Sequence, residues 1–112
     1  MKRKLTFFIF LTIMLSGCTN QLGGDHFFNH IDQLEQEIDQ SEWSKISTKA
    51  DKLKSIYKDN IWKLQLLGDE DEYEGLHESI NNLVAAAKEK DSTSTRLELA
   101  TVKSILEDIY SL

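Results

Sequence analysis

Apolar residues along this chain fall into four blocks, each at the spacing of a helix. Between 25 and 39, Phe27, Ile31, Leu34 and Ile38 recur at steps of four, three and four, which places them on one stripe of a first helix. Phe28 widens that stripe. Ser41 has the chemistry of an N-cap and Glu42 an acid's favourable place in a first turn, so a second helix is predicted to begin there. Trp43, Ile46, Ala50, Leu53, Tyr57 and Leu64 share one of its faces, and Asn60 fills the remaining seam position as a register-setting or cap-like polar residue. A helix over 42–67 is roughly 39 Å long at 1.5 Å per residue, more than the first can cover. Its distal end, broadened by Ile61, Trp62 and Leu66, is therefore expected to pack on other segments.

Gly68 supplies a stop. Asp69 with Glu72 three residues later matches a capping box that opens a third helix. Tyr73, Leu76, Ile80, Leu83 and Ala87 form its stripe, widened by Val84, and Lys88 and Lys90 suit its negative C-terminal end. The Ser- and Thr-rich stretch 91–95 reads as turn plus cap. A fourth helix runs through Leu99, Val102, Ile105, Leu106 and Ile109. No strand pattern competes, and no proline interrupts the chain. The fold class is all-α, an antiparallel bundle of about four helices. Ala50, Leu53 and Tyr57 overlay on Val102, Ile105 and Ile109 as in a repeated helical hairpin, a match that any two amphipathic helices can show.

Before these blocks lies a segment of another kind. Lys2, Arg3 and Lys4 precede an apolar run from 5 to 15, broken by Thr6 and Thr12, and Ser16 and Gly17 stand just before Cys18, the chain's one cysteine. An eleven-residue run is well short of the ~20 that span a bilayer. The segment reads as a lipoprotein signal peptide over 1–17, with Cys18 as the lipidated residue. Two acyl chains on that thiol give stable anchoring, which places the mature chain on the extracytoplasmic face of the cell membrane. A lone cysteine excludes an intramolecular disulfide. Residues 18–25, with Gly23 and Gly24, form the tether, and 26–112 the domain proper.

Charge narrows the partners. The chain carries 13 Lys and Arg against 19 Asp and Glu. Three of the basic residues precede Cys18, which leaves 10 against 19 in the mature part, a net of −9. Nucleic acid is excluded as a partner, because its binding rests on basic groups neutralising phosphates. An anionic lipid surface is likewise expected to repel the domain, so that the anchor holds it there while its body stands clear.

Candidate chemistry is sparse. His26 and His30 stand four apart with Asp25 nearby, a spacing zinc helices use, but a third and fourth ligand are missing and no metal is expected. His77, between Glu74 and Glu78, is read as a surface histidine. The acidic run from Asp69 through Glu70, Asp71 and Glu72 to Glu74 could attract calcium; its sixth position is Glu74, where a calcium loop needs glycine, and its twelfth is Ile80, where it needs glutamate. A solvated capping turn that doubles as a contact surface for a basic partner fits better. Trp43 and Tyr57 lie on the seam and are assigned to the core. Trp62 falls one step off it, which leaves core and exposed positions equally open. No serine elbow, cysteine–histidine pair, phosphate loop or dinucleotide fingerprint occurs, so no catalytic residue and no cofactor are expected.

One resemblance follows from the placed helices. Trp43 after a short acidic turn, Ala50 and Leu53 on its helix, Trp62 before the loop, Glu70 and Glu72 opening the next helix, and Asp91 before a last amphipathic helix are similar to the short bacterial envelope proteins of domain of unknown function 4363. The similarity covers 38–109. Members of that family often begin with a hydrophobic anchor, where this chain has Cys18, and often carry histidine where it reads Gly68-Asp69. The resemblance implies a helical, membrane-tethered domain and carries over no site residues. The expected function is a non-enzymatic interaction module for another envelope protein, with Trp62, Asp69, Glu70, Asp71 and Glu72 as the contact residues. The alternative is a small-ligand- or metal-binding accessory lipoprotein, which requires a concave pocket holding Trp43, Trp62 or the histidines.

Overall fold

The computed structural model describes residues 24–111; Cys18 and the segment before it lie outside them. Four helices make up this part: α1 Gly24–Asp39, α2 Trp43–Leu67, α3 Glu70–Lys88 and α4 Ser92–Ile109. Each packs against the next, and α1 also packs against α4. The arrangement is an antiparallel four-helix bundle closed on itself, as the spacing predicts, and its closure through α1 and α4 rules out an open stack of hairpins.

The four stripes meet in one core. Phe27, Ile31 and Leu34 from α1, Ile46, Leu53 and Leu64 from α2, Leu76, Ile80 and Leu83 from α3, and Val102 and Leu106 from α4 are fully buried. Burying a side chain of this size contributes about 1.5–3 kcal/mol, which is why apolar spacing alone fixes the packing. Trp43, Ile61, Leu67 and Tyr73 are half-buried against the same cluster.

Turn chemistry is tighter than the sequence predicts. Ser41 does not cap α2. It adopts the left-handed conformation, φ 56°, where it closes α1. The Ser41 N–H donates to the Ile38 carbonyl (3.0 Å) and the Glu42 N–H to the Glu37 carbonyl (3.3 Å), the paired bonds of a Schellman stop. Helix α2 then starts after Glu42, whose side chain caps nothing. The same stop ends α3. Lys90, just past the C-cap Glu89, is left-handed at φ 57°, and the Asp91 N–H reaches the Ala86 carbonyl at 3.0 Å.

The other predicted caps are present. The Glu72 N–H donates to Asp69 Oδ1 (2.9 Å) and the Asp69 N–H to Glu72 Oε1 (3.0 Å), a complete capping box. Asp91 accepts from the Ser94 N–H at 3.1 Å and opens α4. Gly68 does stop α2, though by its size and not its handedness, since its backbone is extended. A Cβ there would lie 3.0 Å from Ile109 Cγ1 and 3.3 Å from the Leu64 carbonyl.

Candidate functional site

The outer face of α2 is exposed along its whole length, through Ser44, Thr48, Asp51, Ser55 and Asp59 to Trp62 and Leu66. Only at its distal end does that face carry large apolar side chains. The two helices α1 and α2 are joined at 40–42, so the start of α1 lies toward the same end. Gly24, Gly68 and Tyr110 gather at that end: a Cβ on Gly24 would lie 3.3 Å from the Tyr110 ring, and the Phe27 and Phe28 rings stand 6.3 and 6.4 Å from it. Ile61 and Leu67 turn inward to the core. Trp62 and Leu66, one helical turn apart, remain 57% and 78% exposed. The expectation that the whole distal end packs on other segments therefore holds for one face and fails for the other.

Lysines surround this exposed pair. Lys63 Nζ lies 5.4 Å from the Trp62 ring centroid, within cation–π reach, and Lys58 precedes Trp62 by one turn on the solvent side. Helix α2 holds six lysines against two aspartates, a net of +4, whereas α1 has five acids and no Lys or Arg. Pairing divides the six. Lys45 binds Glu42 at 2.8 Å and Lys49 binds Glu37 at 3.5 Å. Among the described residues no carboxylate lies within 4 Å of Lys52, Lys54, Lys58 or Lys63. The unpaired positive charge of α2 thus collects toward the end that exposes Trp62.

The acidic run begins seven residues after Trp62, at the turn from α2 into α3. Its four predicted contact residues separate into two kinds. Asp69 and Glu72 are occupied with the capping box, while Glu70 and Asp71 are exposed and form no ion pair among the described residues. Trp62 and this acidic pair share an end of the bundle but have opposite charged neighbours.

Between α2 and α3 runs an open groove of about 530 Å³ lined by Tyr57, Lys58, Ile61, Tyr73, Glu74 and His77. His77 is not a solitary surface residue: its ring stacks on Tyr57, centroids 5.2 Å apart. The Tyr57 hydroxyl donates to the Tyr73 carbonyl at 3.2 Å. Burial, then the Glu74 charge, pushes its pKa above the usual 10.0. Trp43 lines a second open groove, with Ser47 and Lys88, at the opposite end of the bundle.

The remaining histidine pair is divided by the fold. His26 is exposed, whereas His30 Nε2–H donates to the Lys49 carbonyl at 2.6 Å, because a carbonyl can only accept. Lys49 Nζ in turn reaches Gln33 Oε1 at 3.4 Å as well as Glu37. Together these form a polar clasp between α1 and α2 that hydrophobic spacing could not reveal; the signal available was a run of polar residues, His30, Gln33 and Glu37, on one edge of α1. Asn60 sets no register, since its amide donates to the Ile56 carbonyl of its own helix at 2.8 Å. Among the described residues, no group of three or more His, Cys, Asp or Glu side chains is placed to hold a metal ion.

The family model described as Domain of unknown function (DUF4363) matches residues 23–112. The chain belongs to that family. The DUF4363 match takes in all four helices, a wider span than the 38–109 that the tryptophans and caps mark out. It therefore includes the α1 stripe and the clasp on Lys49. No curated protein and no solved structure matches the chain. No described helix of this DUF4363 member is long and apolar enough to cross a membrane.

Proposed function

We propose that this chain is a bacterial lipoprotein, anchored through Cys18 on the extracytoplasmic face of the cell membrane, whose helical domain is a non-enzymatic interaction module of the envelope. The observation that carries this reading is surface left uncommitted at one end of a bundle whose core is already closed: Trp62 and Leu66 are exposed, and Glu70 and Asp71 are exposed with no ion pair among the described residues. A large aromatic left in water marks a contact surface more often than a single exposed aliphatic does. Its place supports the anchor as well, because the chain leads toward Cys18 from Gly24 at the same end. Glu70 and Asp71 offer a protein partner a negative surface complementary to Lys or Arg.

Two experiments test the two parts of the proposal. Cys18→Ala abolishes incorporation of labelled fatty acid; continued labelling refutes the anchor. Photocrosslinking in cells from position 70 or 71, read by mass spectrometry, yields one recurrent envelope protein. A set of adducts no different from that of a crosslinker placed at Lys52 refutes the protein contact at the loop.

A further inference from the structure

We infer that the distal face of α2, with Trp62 and Leu66 at its centre and Lys58 and Lys63 at its margins, rests on an anionic lipid surface. The inference relies on the lipoprotein reading and divides the contact surface in two, leaving Glu70 and Asp71 to a protein partner.

Three observations converge on a lipid occupant. The first is composition: tryptophan, leucine and lysine on one helical face are the residues that settle at a bilayer's polar boundary, the indole among headgroups and the lysine stems reaching phosphates. The second is charge. The domain is acidic as a whole, but α2 carries a net +4, and Lys58 and Lys63, which form no ion pair among the described residues, flank the exposed apolar pair with the sign that an anionic surface attracts. Asp51 and Asp59 on the same helix, and Glu74 across the groove from Lys58, reduce that charge without reversing it. The third is reach. Five residues separate Cys18 from Gly24, and the six steps between them span at most about 21 Å in any conformation. Trp62 lies at the Gly24 end of the bundle. A lipid on Cys18 therefore keeps this face within contact distance of the bilayer. Net charge predicts a domain held away from the membrane, and the distribution of that charge predicts one that leans on it.

The test reads the environment of Trp62. The full chain, purified from membranes, carries Trp43→Phe so that Trp62 is its one tryptophan, and is reconstituted into vesicles of phosphatidylcholine with or without phosphatidylglycerol. With phosphatidylglycerol, the emission shifts to the blue and loses most of its intensity when the acyl chains are brominated; Lys58→Glu with Lys63→Glu reverses both. Should Trp43→Phe disturb folding, as circular dichroism would report, the parent chain gives the same answer, because the lipid-quenched fraction disappears in Trp62→Phe. Protein that floats with the vesicles while its Trp62 stays fully open to aqueous acrylamide overturns the inference and leaves the anchor intact. Shielding of Trp62 that appears only when an envelope protein crosslinks at position 62 overturns it in favour of a protein contact. A chain that does not float removes the anchor, and this inference with it.

Discussion

In its first half α2 is clasped, and in its second half it is left open. Lys45 and Lys49 meet Glu42 and Glu37, and the Lys49 carbonyl takes the His30 N–H, so the first two lysines of the helix have partners on or beside α1. From Lys52 onward, Lys52, Lys54, Lys58 and Lys63 have none within 4 Å among the described residues, and Trp62 and Leu66 face water. One buried stripe serves both halves, from Ile46 to Leu64. The difference lies wholly on the outer face, and it shows that a helix can be fixed in the core along its full length while only part of its surface is committed within the domain.

The sharpest break of that comparison is within one turn. Leu64 is fully buried and Leu66 mostly exposed. Leu64→Ala should cost about 2–5 kcal/mol of stability and Leu66→Ala about 0.5 kcal/mol or less, read from urea unfolding of the full chain. Equal losses would mean the outer face is covered after all. Next in size is the clasp. Lys49→Ala leaves the partly buried Glu37 carboxylate without its cation and should cost about 1–3 kcal/mol, whereas Lys63→Ala should change stability by about 0.5 kcal/mol or less while removing the cation over Trp62.

A smaller change strengthens the clasped end. Ser41 holds a left-handed conformation that an L side chain resists, so Ser41→Gly should raise stability by about 1 kcal/mol and lift the thermal midpoint. The smallest effect is a dependence on acid. Hydrogen bonds from Ser94, first its backbone N–H and then its hydroxyl, hold the Asp91 carboxyl below its ordinary 3.8. A folded value below the unfolded one means that this contribution is complete above about pH 4 and is lost as pH falls through the lower, folded value. The stability difference between the parent chain and Asp91→Asn should be flat from neutral pH down to about 4 and change below it; a slope at pH 6 would point to another group.

Much of the fold is legible in the residues because burial follows a period that spacing records. Phe27, Ile31, Leu34 and Ile38 are all buried as predicted, and Asp69 with Glu72 closes the box their spacing announces. Ser41 misleads because serine before an acid is the sign of an N-cap, and nothing local shows that the chain needs a left-handed residue there to end α1. Asn60 misleads in a similar way: position places it on the seam, but its amide satisfies itself on its own backbone. For the candidate site, the acidic loop is legible and its partition is not, because the sequence cannot distinguish a carboxylate that caps from one that is free. Trp62 one step off the seam is open to core or solvent in the sequence; the structure puts it in line with Asp51, Ser55 and Asp59, the exposed outer face of α2. The lysine face was open to reading from charge counted helix by helix, and a single net charge for the whole chain conceals it.

Tyr110 has a mechanical consequence. Its ring packs against Gly24, Phe27 and Phe28, the first turn of the helix through which any tension on the preceding chain enters the domain. A pull along that chain loads this aromatic contact before any other part of the α1–α4 interface. The bundle should therefore yield by peeling α1 from its first turn, and Tyr110→Ala should lower the force at which a single molecule held through its amino-terminal segment gives way.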